Sequence, residues 1–370
     1  MSNLTFTPMS EWGLGLGERM NISGPCSAET PEQVMETVKG VAAHDIHVIR
    51  AGIWKPRTRP NSFEGVGSVG LKWLKDAGRA VHKPVCTEVA NVKHVYEALR
   101  GGIDILWLGA RTTTNPFAVQ EIADALDGVD IPVMVKNPVN PDLKLWMGAI
   151  ERLQKKGLTK VAAIHRGFSV YGEKKYRNRP MWEIPIELKR TLPDLPVICD
   201  PSHICGNREL LHPVSQKALD LDFNGLMLES HITPDKALSD AKQQVTPERL
   251  GEILSTLTYR QRTTDNPTFA SQLEILRDEI DELDHQIIDQ LVKRMVIARQ
   301  IGQYKKENNI TILQPGRWEE IIQDRVGYGF KQGISDDILS QMLKLIHQES
   351  IRHQTKVMNE EVEEPSQNNA

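Results

Sequence analysis

The chain has 370 residues, of which 39% are hydrophobic and 25% are charged, so it is long enough for a barrel of about 250 residues and a second domain. Its formal net charge of -4 argues against a general nucleic-acid surface, and the sequence shows neither a secretory leader nor an apolar run of about 20 residues. We therefore expect a cytoplasmic protein without nucleic-acid or membrane partners, whose four cysteines stay reduced.

Short apolar runs recur along the first two thirds of the chain, and each ends on a polar residue. In chain order they are MNISGPCS, HVIRAGIWKPR, PVCTE, ILWLGAR, IPVMVK, VAAIHR, LPVICDPSH and GLMLE. Segments with helical periodicity, such as PEQVMETVKGVAAH, lie between them. This alternation predicts an α/β fold, a (β/α)8 TIM barrel over residues 1–262, whose strand ends would carry an active site.

The segment after the barrel has a different character. The helix TPERLGEILSTLTYRQR closes the barrel, and residues 263–270, which include TTDNP, form the predicted linker. Residues 271–355 contain long amphipathic stretches, which predict a separate all-α domain of three helices. Residues 356–370 contain few apolar side chains and are predicted to be disordered.

Four strand-end residues form a candidate metal site. Cys26, His203, Glu229 and Asp240 follow the first, seventh and eighth strands, which a closed barrel brings to one rim. A thiolate, an imidazole and two carboxylates suit one divalent transition ion per barrel. We expect manganese first, with iron, cobalt or zinc as alternatives.

Cations at the ends of strands two, four, five and six form a candidate anion site. They are Arg50, Lys55, Arg57, Arg111, Lys136 and Arg166. Such a ring is favourable when the ligands carry phosphates and carboxylates, to which arginine can make bidentate hydrogen bonds. Metal and cations together indicate activation of a carbonyl group beside anionic substrates.

At these residues the chain resembles the type I-beta 3-deoxy-D-arabino-heptulosonate 7-phosphate (DAHP) synthases. The matching motifs are GPCSAE, KPRT, LGAR, VK, HRG, DPSH, GLMLESH and ALSDAKQQ, and the resemblance covers nearly all of residues 20–245. It implies condensation of phosphoenolpyruvate with erythrose 4-phosphate, with the metal on the four residues above.

The resemblance also assigns substrate contacts. Phosphoenolpyruvate would be held by Lys55, also a catalytic candidate, and by Arg111, Lys136 and Arg166, while Arg57 and Thr58 would bind the sugar phosphate. Glu88, His165 and Asp200 lie close enough in register to orient ligands or move protons, without an assigned role.

Three cations in the helical domain suggest a second anion site. Arg294 and Lys305 are eleven positions apart and return to one helix face, whereas Arg277 lies about 25 Å from Arg294 along a straight helix. Arg277 would therefore have to come from a second chain if it served the same ligand, which requires at least a dimer.

Over residues 271–353 the chain resembles the all-helical chorismate mutases. The resemblance implies an entwined dimer that converts chorismate to prephenate, with Arg277 completing a site built from Arg294, Lys305 and Arg317. Lys344 aligns with the glutamine that faces the ether oxygen, and Gln314 and Trp318 replace two acidic residues.

Three functional alternatives remain open. The helical domain is either an active mutase through which prephenate lowers the synthase rate, or a ligand-sensing module with weak catalysis. The barrel could also condense phosphoenolpyruvate with another aldose phosphate, which the KPRT segment disfavours.

Overall fold

The computed structural model describes residues 4–55, 62–261, 263, 267–313 and 315–359. The chain divides into two compact units, Met1–Arg262 and Thr263–Ala370. Among the described residues, no helix combines the length and apolar character needed to cross a membrane. All four cysteines are buried and free of disulfides.

The first unit contains eight short strands. They are β1 (Ile22–Gly24), β2 (Val48–Arg50), β3 (Val85–Val89), β4 (Ile105–Leu108), β5 (Val133–Lys136), β6 (Val161–His165), β7 (Val197–Cys199) and β8 (Gly225–Glu229). They pair in chain order as a closed barrel, with β1 hydrogen-bonded in parallel to both β2 and β8. This confirms the predicted TIM barrel. Nearly every strand residue is buried, as expected for parallel strands covered on both faces.

Helices surround the barrel. They are α1 (Pro31–Ala42), α2 (Val69–Ala80), α3 (Val92–Arg100), α4 (Ala110–Thr113), α5 (Pro116–Ala125), α6 (Leu143–Gln154), α7 (Glu183–Thr191), α8 (Pro201–Cys205), α9 (Leu211–Asp220) and α10 (Pro247–Thr256). The side chains of Thr30, Asn115 and Thr246 accept hydrogen bonds from first-turn amides, and proline follows each of them. Such caps fix where the helices begin and therefore where the strand-end loops finish.

The amino-terminal segment closes one end of the barrel. Met9, Trp12 and Leu16 are buried in the cluster that fills the barrel interior together with Ile22 and Trp107. The amide of Met20 donates to the carbonyl of Asn224, directly before β8, which places this segment at the amino ends of the strands. The opposite, carboxyl end is left for ligands.

The second unit consists of α11 (Pro267–Glu307), α12 (Pro315–Lys331) and α13 (Asp336–Asn359). Helices α11 and α13 run side by side in the same direction, since Arg294 contacts Ser350 and Lys306 contacts Val357 further along both helices. Gly302 lets them approach closely, because a Cβ there would lie 3.0 Å from the Cα of Gln354.

Two helices extend a few residues past the predicted boundaries. Helix α11 begins at Pro267, inside the predicted linker 263–270, because proline is well suited to the first position of a helix. Helix α13 continues to Asn359, inside the predicted tail 356–370, where Lys306 Nζ donates to the carbonyl of Val357 at 3.2 Å. Residues 360–370 lie outside the described residues.

Candidate active sites

The metal-site candidates meet at the carboxyl end of the barrel. Sulfur or carboxylate oxygen atoms of Cys26, Glu229 and Asp240 all lie within 4.8 Å of one another, and His203 Nε2 lies 3.8 Å from Glu229 Oε1. The local backbone explains the position of Cys26. Gly24 pairs with Glu229 at a φ of 144°, where a Cβ would meet the carbonyl oxygen of Arg50 at 2.1 Å, so only glycine lets the GPCS turn pass this close to β2.

The electrostatics of this group favour a bound cation. Burial, reinforced by Glu229 and Asp240 and opposed by Lys55, raises the pKa of the Cys26 thiol to about 12. Glu229 Oε1 is buried without a hydrogen bond, although Arg50 Nη2 lies 3.1 Å away. A divalent ion would offset the close approach of these anionic donors, so the residues fit a metal site.

His203 is oriented for ligation by Asp200. The Asp200 carboxylate caps α8 and lies 2.9 Å from His203 Nδ1, which leaves Nε2 facing Glu229. Lys136 Nζ lies 2.7 Å from Oδ2 of the same fully buried carboxylate, which is also the oxygen nearest to His203 Nδ1. Burial alone would raise the pKa of Asp200, but His203 and Lys136 hold it well below its ordinary value. Asp200 therefore connects the metal-site candidates to the anion-site candidates.

The described cations crowd the same rim. Lys55 Nζ lies 3.0 Å from both Cys26 Sγ and the Cys26 carbonyl oxygen, and buried Arg50 donates to that carbonyl at 3.2 Å. Burial, assisted by Arg111 among its neighbours, lowers the pKa of Arg166 to about 10. Cations held this close to one another are favourable for binding an anionic ligand. Arg57 and Thr58 lie outside the described residues.

Glu88 and His165, at the ends of β3 and β6, contact aromatic side chains. Glu88 Oε2 accepts a hydrogen bond from Trp107 Nε1 at 3.0 Å. His165 is fully buried among aromatic rings, including those of Phe168 and Trp182, and burial lowers its pKa to about 3. His165 therefore lies neutral among aromatic side chains.

The helical unit brings part of the second predicted site together. Arg294 donates to Ser350 Oγ on α13, and Lys305 Nζ donates to the carbonyl of Ile312 at 2.6 Å. Burial, with Arg294 and Lys305 near by, lowers the pKa of His347. These α11 cations and one face of α13 thus form a positively charged site.

Lys344 is not brought into this group by any contact among the described residues. It is exposed on α13, whereas Gln354 lies beside Gly302, between the levels of Arg294 and Lys305. Gln354 is 9% exposed, and its Oε1 is buried without a partner. This position could not be predicted, because nothing in the sequence sets the register of α13 against α11.

The remaining predicted mutase residues are Trp318, Arg277, Gln314 and Arg317. Trp318 stacks on His347 with ring centroids 4.0 Å apart, so it packs within its own unit. Arg277 is exposed near Glu274, on the same continuous helix as Arg294. Gln314 and the side chain of Arg317 lie outside the described residues.

A closed barrel with a thiol, an imidazole, carboxylates and cations at its carboxyl end defines an enzyme that acts on anionic substrates. Residues 7–265 match the DAHP synthetase I family, and residues 276–355 match chorismate mutase type II. The chain belongs to the DAHP synthetase I family and carries a chorismate mutase domain after the barrel, which makes it a bifunctional enzyme. Both predicted resemblances are confirmed.

Individual relatives include proteins named for this activity and one named for a related aldolase. The phospho-2-dehydro-3-deoxyheptonate aldolase of Thermotoga maritima is 32% identical over 251 residues, which cover 68% of this chain and 72% of the relative. The crystal structure of the DAHP synthase from that organism matches with a TM-score of 0.58 and 30% identity, covering 65% of this chain and 68% of the other. A 2-dehydro-3-deoxyphosphooctonate aldolase of Desulfotalea psychrophila is 28% identical over 255 residues, covering 64% of this chain and 87% of the relative.

Proposed function

We propose that the barrel condenses phosphoenolpyruvate with erythrose 4-phosphate to give DAHP and phosphate, and that this reaction requires one divalent metal ion. The observation that carries this proposal is the convergence of Cys26, Glu229 and Asp240 within 4.8 Å, with His203 beside them. These four residues would hold the ion. We expect manganese first, with iron, cobalt or zinc as alternatives, because the donor set combines sulfur, nitrogen and oxygen.

The bound ion would polarise the aldehyde of the four-carbon sugar, on whose oxygen negative charge grows as the new carbon–carbon bond forms. The phosphate and carboxylate of phosphoenolpyruvate would be bound by Lys55, Arg111, Lys136 and Arg166. Buried Arg50 would add to the positive charge at this site. Cations that are fixed in advance would need little reorganisation when negative charge develops. Attack by the enol carbon of phosphoenolpyruvate on the aldehyde would leave positive charge on the neighbouring carbon, which bears the phosphate. Water would add to that carbon, and phosphate would leave.

Arg57 and Thr58, in the KPRT segment, would bind the phosphate of the sugar. The D. psychrophila relative shows that similar barrels carry the name of a phosphooctonate aldolase, so the acceptor must be tested. We expect the purified enzyme to release phosphate from phosphoenolpyruvate with erythrose 4-phosphate at least tenfold faster than with arabinose 5-phosphate. Equal or reversed rates would contradict the assigned acceptor.

For the helical domain we propose conversion of chorismate to prephenate. Arg294 and Lys305 would bind one chorismate, aided by Arg317, and an uncharged donor would face the ether oxygen. The position of Gln354 beside Gly302 favours this glutamine over Lys344 for that role. Catalysis would come from holding the reactive conformer and stabilising charge on the breaking bond.

We further propose that the helical domain forms a homodimer of the full chain. Helix α11 leaves many apolar side chains exposed, among them Leu283, Ile287 and Val292 at 56%, 56% and 58%. A second copy would cover this surface. It would also supply Arg277, which on a continuous helix lies about 25 Å from Arg294 and so belongs to the other ligand site.

We also propose that prephenate bound in the helical domain lowers the synthase rate. The alternative is a domain that senses ligand with little turnover. The mutase rate of the wild type separates the two, and the Arg294→Ala variant of the full chain tests whether prephenate acts through the helical domain. Prephenate should inhibit the wild-type synthase and leave this variant uninhibited. Inhibition with negligible mutase activity would favour the sensor, and an unchanged response in the variant or after truncation at Arg262 would contradict this route.

A further inference from the structure

Gln243 is a buried glutamine whose side-chain amide forms hydrogen bonds through both its nitrogen and its oxygen. It is 1% exposed and lies in the short turn that follows Asp240, to whose carbonyl its own amide donates at 3.2 Å. Its Nε2 donates to Glu229 Oε2 at 2.7 Å, and its Oε1 accepts from Arg177 Nη1 at 2.6 Å. Gln243 therefore connects one carboxylate of the proposed metal site to a cation outside it.

Arg177 continues this connection to the second carboxylate. The same Nη1 atom lies 3.0 Å from Asp240 Oδ1. Arg177 is held from behind, because its amide donates to the Cys205 carbonyl, and Gly206, at a φ of 68°, leaves room for its side chain. A Cβ on Gly206 would lie 2.5 Å from the Cβ of Arg177.

The four side chains form a continuous hydrogen-bonded chain that runs from Asp240 through Arg177 and Gln243 to Glu229. This hydrogen-bonded chain engages one oxygen of each carboxylate, Oδ1 of Asp240 and Oε2 of Glu229. The other two oxygens point to the remaining donors, because Asp240 Oδ2 lies 3.4 Å from Cys26 Sγ and Glu229 Oε1 lies 3.8 Å from His203 Nε2. Each carboxylate thus presents one defined oxygen to the group.

We propose that Arg177 and Gln243 are positioning residues for the metal site, which orient Glu229 and Asp240 so that a single oxygen of each is presented to the ion. The inference rests on the proposed metal site and adds two residues to it. Without this hydrogen-bonded chain, Asp240 would lose its Arg177 partner, and Glu229 would be held by Arg50 Nη2 at 3.1 Å alone. Part of the ordering of both carboxylates would then have to occur when the ion binds. Partners of metal ligands typically contribute 10–100-fold to metal affinity.

The test measures metal binding rather than turnover. Full-length protein stripped of metal is titrated with Co²⁺, and binding is followed through the thiolate-to-cobalt charge-transfer absorption that Cys26 would give. We expect Gln243→Met, which keeps the length of the side chain and loses both hydrogen bonds, to bind Co²⁺ about 10–100-fold more weakly than wild type. Arg177→Met should show a similar loss, and Arg177→Lys should recover part of it.

A matched control and a double variant complete the experiment. Gln216→Met removes a glutamine on α9 that bonds to Asp220 and Thr258, so it repeats the substitution away from the site and should bind Co²⁺ like wild type. The double variant of Arg177 and Gln243 should bind Co²⁺ little worse than either single variant, because one broken link already interrupts the chain.

The outcomes separate this inference from the proposal on which it rests. Wild-type Co²⁺ affinity in both Gln243→Met and Arg177→Met would overturn the positioning role while leaving the metal site in place. A wild-type protein that gives no thiolate-to-cobalt band would overturn the metal site and this inference with it. If Gln243→Met fails to fold, Arg177→Met decides the matter, because Arg177 is 41% exposed and its loss removes less buried contact.

Discussion

Replacing Lys136 by methionine should destabilise the barrel strongly. The Lys136 ammonium lies 2.7 Å from Asp200, and the two side chains are 5% and 0% exposed. Methionine has a similar length and no charge, so Asp200 would stay buried with His203 as its main partner. Breaking a buried ion pair on one side costs about 3–5 kcal/mol. For a unit of this size, that corresponds to a fall in Tm of roughly 10 °C.

Lys160→Met is the matched control. Lys160 lies 2.8 Å from Asp130, but that aspartate is 80% exposed, so the loss should be no more than about 1 kcal/mol. Urea unfolding followed by tryptophan fluorescence reports mainly on the barrel, because every tryptophan except Trp318 precedes residue 262. The double variant of Lys136→Met with Asp200→Asn should regain part of the stability. Equal losses for the two lysine variants would refute the reasoning from burial.

Three further predictions concern other parts of the molecule. The folded-state pKa of His165 is lowered to about 3, so below pH ~6.5 the unfolded chain binds a proton that the folded chain does not, and stability falls as the pH falls. Between pH 7 and 5, the free energy of unfolding should therefore fall by about 2 kcal/mol less in His165→Phe than in wild type, as measured by urea unfolding. Equal falls in the two proteins would contradict a buried neutral ring. Gln354→Leu should lower the mutase kcat about 100-fold while Lys344→Leu stays within about threefold, and the reverse order in a chorismate-disappearance assay would restore Lys344 to the role. Cys26→Ala should abolish synthase turnover with normal unfolding and mutase rates, and full synthase turnover would remove the thiolate from the metal site.

The barrel and most of its strand-end residues could be predicted from the sequence. Parallel strands produce buried apolar runs, and the closed topology brings the residues after each run to one rim, which explains why Cys26 and Glu229 could be associated across two hundred residues. The same logic identified Lys136 and His203. Here the periodicity of the chain carries the three-dimensional information directly.

Other features depend on contacts that no periodicity encodes. Arg177 and Gln243 act through hydrogen bonds between two irregular loops, and neither loop has a pattern that predicts its path. The position of Gln354 depends on the mutual register of α11 and α13, which approach closely at Gly302. Helix α11 begins earlier than predicted for a local reason, because Pro267 suits the first position of a helix.

The most direct test of the central claim is to restore metal to the stripped full-length enzyme and measure both activities in one preparation. We predict that phosphate release from phosphoenolpyruvate and erythrose 4-phosphate is lost with chelator and returns with one equivalent of Mn²⁺ per chain, while chorismate turnover is the same throughout. Phosphate release that persists in the stripped enzyme would contradict the metal site formed by Cys26, His203, Glu229 and Asp240.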